Sequence, residues 1–254
     1  GLTGFSDENY AKLEENAALF KERHNSAGGR IHVMLGPHAP YTCSVEYLKN
    51  VIAKAQQLGS EIHIHLCETK GEVDNCIKEH GMSPIKLMDS LGMFECGTLA
   101  AHSVHVDEED MAIMAAKHVR VAHNLQSNLK LASGIAPVPA MLKHGITVGL
   151  GTDGTSSNNN LDMLEECRLA AMLHKNMTGD PEIIPAAQAL AMATSEGAKA
   201  LGFADVGKIE AGQKADIVLY NMNKPYWHPR NDRTSLFVYA ANANDADTVL
   251  VNGK

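Results

Sequence analysis

Four histidines and one aspartate stand at the ends of short apolar runs, and together they predict a metal site. They are His38, His65, His102, His123 and Asp153, and consecutive members lie between 21 and 37 residues apart along the chain. In an α/β fold the carboxyl ends of parallel strands share one edge of the sheet, so we expect all five side chains on the same rim. Imidazole and carboxylate donors suit a divalent transition metal, with zinc and iron as the candidates.

The run at residues 62–66 alternates aliphatic residues with histidines, so His63 and His65 share one face of the predicted strand. Two interpretations of His63 stay open: a second ligand in an H-x-H pair, or a supporting residue one layer deeper. Glu68 follows His65 by three residues, where a carboxylate can move protons between activated water and a substrate nitrogen. The alternative for Glu68 is an acidic residue at the start of a helix.

Asp153 closes the last of these runs and lies between Gly151 and Gly154. Glycine on either side lets the backbone turn sharply and expose the carboxylate. We therefore expect this carboxylate at the same rim as the histidines. The alternative is that Asp153 only stabilises a turn or caps a helix.

The elements that must position these residues alternate between strand and helix. Apolar runs predict strands at residues 30–36, 61–68, 98–102, 118–122 and 146–151. Periodicity and capping signals predict helices at about residues 7–23, 44–58, 70–80, 83–93, 138–144, 161–176 and 186–201. This alternation favours a parallel sheet. Short strands at 208–220 and 248–253 change the character of the chain and place a boundary near residues 202–207.

Composition narrows the function classes. The chain has 254 residues, with 22 basic and 30 acidic side chains and a formal net charge of −8. Hydrophobic residues make up 44 %, as in ordinary globular proteins. The absence of a long apolar run and of a leader segment predicts a cytoplasmic protein without a membrane partner. An acidic chain without basic clusters disfavours nucleic acid as a partner.

Five motifs, in order, resemble the amidohydrolase superfamily and most closely its 5-methylthioadenosine/S-adenosylhomocysteine deaminase family. They are Gly-Pro-His-Ala-Pro-Tyr at 36–41, Ile-His-Leu-Cys-Glu-Thr at 64–69, Ala-Ala-His-Ser-Val-His at 100–105, the segment at 123–138 that begins His-Asn-Leu-Gln-Ser-Asn, and Leu-Gly-Thr-Asp-Gly-Thr at 150–155 with the Ser-Ser-Asn-Asn-Asn that follows. The segment at 207–218 also resembles the small β-sandwich domain of that superfamily.

The resemblance implies a (β/α)8 barrel of the TIM type over residues 1–204 and part of the β-sandwich domain over residues 205–254. In that frame His38 ends the fourth strand, His65 the fifth, His102 the sixth and Asp153 the eighth. The H-x-H metal pair of the family's first strand has no match here, so about the first three strands are expected to be lacking. We therefore expect this chain alone to bind metal weakly. We also expect it to form a homo-oligomer or to be complemented by the missing N-terminal segment.

The resemblance also implies a chemistry, the hydrolytic deamination of a purine nucleoside to its inosine analogue and ammonia. His65, Asp153 and His102 would bind one divalent metal, most readily zinc, with iron as the alternative. Hydroxide generated at the metal would attack the amino-bearing ring carbon with a proton passing to Asp153, and His102 would orient the hydroxide or serve as a further ligand. Glu68 would protonate the ring nitrogen, and His38, Glu68 and Asp153 would contact the substrate. The alternatives are a chlorohydrolase, a guanine or cytosine deaminase, or a truncated, non-catalytic fragment.

Overall fold

The structure is a computed structural model that describes residue 7 and residues 9–254, and there strands alternate with helices as predicted. The strands are β1 (Ile62–Leu66), β2 (Thr98–His102), β3 (Arg120–His123), β4 (Val148–Leu150), β5 (Ile217–Tyr220) and β6 (Ala246–Leu250). The helices are α1 (Ala11–Arg23), α2 (Ser26–Gly29), α3 (Val45–Leu58), α4 (Lys70–His80), α5 (Pro84–Ser90), α6 (Glu108–Ala116), α7 (Leu125–Lys130), α8 (Val138–Lys143), α9 (Thr155–Asn158), α10 (Met163–Thr178), α11 (Ala186–Ala193), α12 (Ser195–Ala200) and α13 (Arg233–Ala240). Short 3-10 turns lie at Met93–Cys96, Pro225–Trp227 and Ala243–Asp245.

One sheet contains β1 to β4 in chain order, and β1 runs parallel to β2 with Leu66 opposite His102. The aliphatic side chains of β1 are completely buried, whereas its two histidines lie on the other, more accessible face. This alternation and the helices between the strands confirm the predicted α/β class. The pair β5 and β6 forms a separate antiparallel ribbon.

Contacts divide the chain into two units. One comprises Gly1–Val121 with His144–Ile146, and the other comprises Ala122–Lys143 with Thr147–Lys254. In the first unit the aliphatic side chains of β1 and the inner face of α3 are buried. In the second unit β4 packs on α11 and α12, and α13 packs on α11. The boundary expected near residue 204 stays a prediction.

The predicted strand at residues 30–36 is wrong over most of its length. Only Leu35 forms a bridge there, parallel to Ile62. The side chain of Asn16 donates to the carbonyl of Met34 and accepts from the N–H of Gly36, at 3.2 and 3.0 Å. Leu35 between them makes its backbone hydrogen bonds on the other edge, to Glu61 and His63 of the β1 segment, at 3.0 and 2.9 Å. The run therefore pairs with β1 through Leu35, while on its opposite edge a side chain of α1 takes the place of a strand.

Helix ends follow the capping residues of the sequence where those are strong. Ser44 caps α3 and Thr69 caps α4, each accepting a backbone N–H from the first turn, and left-handed Gly59 and Gly81 end the two helices. The predicted helix over 186–201 is instead two helices, because the backbone breaks at Thr194. The predicted strand over 208–220 shortens to β5. In residues 9–254 the structure contains no helix with the length and apolar character to cross a membrane.

Candidate functional site

His65 lies near the end of β1, on the accessible face of the strand, and its ring is held by one hydrogen bond. Its Nδ1 lies 2.7 Å from the backbone carbonyl of His38. A carbonyl only accepts, so Nδ1 carries the proton and Nε2 keeps its lone pair. A histidine fixed in this way by an acceptor behind it is typical of metal ligands.

His102 ends β2 and is almost completely buried. Its ring centroid lies 5.4 Å from that of His65, and the two ring planes are inclined by 24°. The backbone of His102 has φ of +72°, a left-handed conformation that is costly for a residue with a Cβ. Strain of this kind at a strand end is kept where the surrounding structure fixes it. Here the N–H of Ser103 donates to the carbonyl of Leu66 at 3.0 Å.

Glu68 follows β1 and lies beside the buried imidazole. Its Oε2 is 3.7 Å from Nε2 of His102, and its side chain is 15 % exposed. Helix α4 begins two residues later with Thr69 as its cap, and the acidic residue of its first turn is Glu72. The carboxylate of Glu68 therefore faces the histidines, which disfavours the alternative of a helix-terminal charge.

His38 and the residues after it lie next to His65. The ring of His38 is 5.0 Å from that of His65, and its Nδ1 lies 2.7 Å from the hydroxyl of Thr42. Burial lowers the pKa of His38, and the neighbouring His65 lowers it further, against an opposing effect of Glu68. This imidazole is consequently neutral at pH 7. His63 is exposed, with its ring 6.4 Å from that of His65.

The second unit supplies a carboxylate, Asp153, just beyond β4. Asp153 has φ of +60°, its Oδ2 accepts the hydroxyl proton of Ser127 at 2.6 Å, and its Oδ1 accepts the N–H of Gly154 at 2.7 Å. A Cβ at Gly151 would lie 2.4 Å from Oδ1 of Asn124, so a larger residue there would displace the Asn124 side chain. Asp153 thus stabilises its own turn through Oδ1, as the alternative expected, while Ser127 donates to Oδ2.

His123 also lies in the second unit, as the last residue of β3, and is completely buried. Its ring is 5.4 Å from that of His174. Burial lowers the pKa of His174 to about 4, so that imidazole is neutral at physiological pH. Within this unit the ring of His123 therefore lies beside that of another buried histidine.

Two buried glutamates beneath the strand-end turns were not foreseen from the sequence. Glu72 accepts the backbone N–H groups of Cys67 and Glu68, each at 2.8 Å. Glu166 accepts the amide of Asn158 at 2.7 Å and the N–H of Gln126 at 3.2 Å. The capping pattern from Thr69 to Glu72 was a usable signal for the first. Nothing in the sequence separates Glu166 from Glu165, the half-buried glutamate before it on α10.

Comparisons with a family profile and with individual sequences point to the same family. The sequence profile of the amidohydrolase family matches residues 3–254. A 5-methylthioadenosine/S-adenosylhomocysteine deaminase of Moorella thermoacetica is 52 % identical over all of this chain, and one of Dictyoglomus thermophilum is 51 % identical. In both cases the chain spans 60 % of the length of the relative.

Solved structures with the same fold bind zinc. An adenosine deaminase from Xanthomonas campestris with bound zinc superposes with a TM-score of 0.90 and 34 % identity, over 95 % of this chain and 55 % of that one. An atrazine chlorohydrolase from Arthrobacter aurescens in complex with zinc gives a TM-score of 0.87 and 27 % identity, over 95 % of this chain and 54 % of that one.

Proposed function

The chain belongs to the amidohydrolase family, and from that premise we propose that it acts in the hydrolytic deamination of an adenine nucleoside, 5-methylthioadenosine or S-adenosylhomocysteine. The observation that carries this proposal is the 52 % and 51 % identity, over the whole chain, to deaminases named for these two substrates. In the reaction, water replaces the amino group of the purine, leaving the inosine analogue and ammonia.

A metal site is part of the proposal, with His65, His102 and Asp153 as the ligands of one divalent ion, zinc before iron. Nε2 of His65 keeps a lone pair because Nδ1 donates to His38. Two imidazoles and one carboxylate are donors that would suit zinc or iron, and the family's H-x-H pair would add two further imidazoles to them. When bound, such an ion lowers the pKa of water towards ~7 and so makes hydroxide available at neutral pH.

Proton transfers fall to two carboxylates of the chain. Asp153 accepts the proton that water loses as its oxygen bonds to the amino-bearing ring carbon, and Ser127 holds the carboxylate in place. Glu68 delivers a proton to the ring nitrogen beside that carbon, so the ring carries no full negative charge. The buried imidazole of His102 orients the attacking oxygen, and its Nε2 lies 3.7 Å from Oε2 of Glu68. As the carbon–nitrogen bond breaks, Asp153 gives its proton to the amino group, which leaves as ammonia, and the hydroxyl proton passes to Glu68 as the carbonyl forms.

Substrate contact is assigned to His38 together with Glu68 and Asp153. Because burial and His65 lower the pKa of His38, its ring is neutral and adds no charge beside a neutral nucleoside. Nδ1 faces the hydroxyl of Thr42, which fixes the plane of the ring. The other ring nitrogen is then the atom that can contact the ribose or the purine.

Ammonia release tests this function. The purified protein is assayed with 5-methylthioadenosine, S-adenosylhomocysteine, adenosine, guanine and cytosine, and we expect release from the first two above the others. The variant Glu68→Gln serves as the matched control, because it retains the shape of the side chain and loses the proton. No release from any purine nucleoside would contradict the proposal. Release of chloride from a chlorotriazine instead would favour the chlorohydrolase alternative.

Metal analysis after dialysis tests the site separately. We expect this 254-residue chain to lose most of its zinc, since the proposed ligand set lacks the two imidazoles that the family's H-x-H pair supplies. Stoichiometric zinc retained by the dialysed chain would contradict that expectation and would make the three proposed ligands sufficient.

A further inference from the structure

We propose that Glu72 is a positioning residue that directs Glu68, and that it does so by binding the backbone of the turn that carries Glu68. The inference rests on the proposed function only for the role of Glu68 as a proton donor. Its geometric basis lies entirely within the first unit.

The two carboxylate oxygens of Glu72 accept two consecutive backbone N–H groups. Oε1 accepts from Cys67 and Oε2 accepts from Glu68, both at 2.8 Å. These N–H groups belong to the two adjacent peptide units on either side of Cys67, so one carboxylate fixes the orientation of both units as well as their position. The direction of the Cα–Cβ bond of Glu68 follows from this orientation.

The turn needs such a restraint because its backbone is strained. Cys67 has φ of +54°, in the left-handed region that residues with a Cβ disfavour. Its carbonyl accepts the N–H groups of Val104 and His105, at 3.0 and 2.9 Å. Glu72 restrains the same residue from its N–H side. The strained turn is thus held from both sides, as strained residues at functional sites are.

Glu72 is itself fixed by its helix and by burial. It lies in the first turn of α4, where its N–H donates to the hydroxyl of Thr69 at 3.1 Å, and it is only 6 % exposed. Burial raises the pKa of Glu72, and the backbone N–H groups that it accepts lower it in part. An apolar residue at this position would avoid the cost of burying a carboxylate but would leave two N–H groups without their acceptor. The carboxylate at this position is therefore explained by the N–H groups of the turn and not by the surrounding core.

The substitution Glu72→Gln tests this arrangement, because a side-chain amide presents an N–H₂ group to one of the two backbone donors. Loss of that bond lets the turn relax and moves the Glu68 carboxylate. A displacement of about 1 Å at a reacting group costs roughly 100-fold in rate, so we expect kcat to fall between about 10-fold and 100-fold. KM should change less than kcat, since the substituted side chain is buried beneath the turn. Glu72→Asp keeps two acceptor oxygens and should restore part of the loss.

A double-mutant cycle separates positioning from general destabilisation. If Glu72 acts through Glu68, then Glu72→Gln added to Glu68→Gln should lower kcat little further. Glu79→Gln, an exposed glutamate on the same helix, is the matched control and should leave kcat unchanged in both backgrounds. A full, multiplicative loss from Glu72→Gln in the Glu68→Gln background would overturn the proposal.

Amide hydrogen exchange gives a readout that does not depend on activity. We expect Glu72→Gln to speed exchange at the N–H groups of Cys67 and Glu68 while the strand amides of β1 and β2 keep their protection. Unchanged exchange at these two amides would overturn the proposal even if activity fell. Should the unaltered protein release no ammonia, the proposed function fails, and the exchange result still decides whether Glu72 holds the turn.

Discussion

The turn after β1 and the turns after β3 and β4 each have a buried glutamate beneath them, but the two glutamates bind different partners. Glu72 accepts only backbone N–H groups of the single turn that precedes its own helix. Glu166 accepts backbone N–H groups after β3, from Leu125 and Gln126, and the side-chain amide of Asn158 after β4. The first arrangement is local, whereas the second joins segments that are distant in the sequence.

The difference shows two ways to hold a reactive carboxylate. Around Glu68 the backbone is fixed directly, so the turn depends on one side chain. Around Asp153 the restraint is shared: Ser127 binds the carboxylate, and Lys130 donates to the carbonyl of Ser156 at 2.9 Å. We infer that the first turn is more sensitive to a single substitution beneath it. The predictions below test this contrast, starting with the largest expected effect.

Substituting each reactive carboxylate in turn should show which one is only a proton donor and which one also binds the metal. We expect Glu68→Gln and Asp153→Asn each to lower kcat by about 100-fold to 10,000-fold, the usual range for a lost acid or base. Bound zinc, measured as metal per protein at saturating zinc before dialysis, should fall only for Asp153→Asn, because an amide is a weak ligand. Equal zinc in both variants would contradict the role of Asp153 as a ligand.

The pH dependence of stability should reveal the burial of Glu166. Burial raises its pKa from 4.5 to about 7 in the folded protein, so the folded chain binds the proton more tightly than the unfolded chain. The stability that the protonated group contributes is complete below pH ~4.5 and is lost as the pH rises through ~7. Relative to Glu166→Gln, the unaltered protein should therefore lose up to about 3 kcal/mol of unfolding free energy across that window.

Chemical denaturation at a series of pH values measures this change. The difference between the two proteins is the relevant quantity, because His174 contributes the opposite slope to both. Its pKa falls from 6.5 to about 4 on burial, so its contribution is lost as the pH drops below 6.5. A difference between Glu166→Gln and the unaltered protein that stays constant from pH 4.5 to 7 would show that Glu166 does not titrate in this range.

The sequence predicted those features of the fold that depend only on neighbouring residues, such as helix ends and strand faces. The helix over 70–80 was foreseen with its true ends, because its periodicity coincides with the capping residue Thr69 and the left-handed Gly81. The face of β1 that carries His65 followed from simple alternation. Glu68 and Asp153 are predicted site residues because they come just after strands, and Glu68 does follow β1, which pairs in parallel with β2.

Features that depend on contacts between distant residues were not predictable. The run at residues 30–36 has the apolar character of a strand, but Asn16 binds its backbone groups. The break at Thr194 separates α11 from α12, and a Cβ at Gly149 of β4 would lie 2.9 Å from Cα of Gly197. This close approach needs glycine at position 149, and no periodic pattern in the sequence indicates it. Glu166 was missed for the same reason, since its partners lie elsewhere in the chain.

The smallest effect should come from the exposed ion pair of α4, the helix that carries Glu72. Lys70 and Asp74 lie four residues apart with 3.0 Å between Nζ and Oδ1, but both side chains are more than half exposed. Solvent screens such pairs, and a lysine in the first turn also opposes the helix dipole. We therefore expect Lys70→Ala to change the unfolding free energy by no more than about 0.3 kcal/mol.

Measured beside Glu72→Gln, this substitution shows whether α4 acts on the turn through its overall stability or through one carboxylate. If Lys70→Ala leaves both kcat and the exchange of the Glu68 amide unchanged, then the stability of the helix start is not what fixes the turn. If it speeds that exchange as much as Glu72→Gln does, the contrast between the two glutamates is wrong. The turn after β1 would then depend on the whole helix, as the turns of the second unit depend on several side chains.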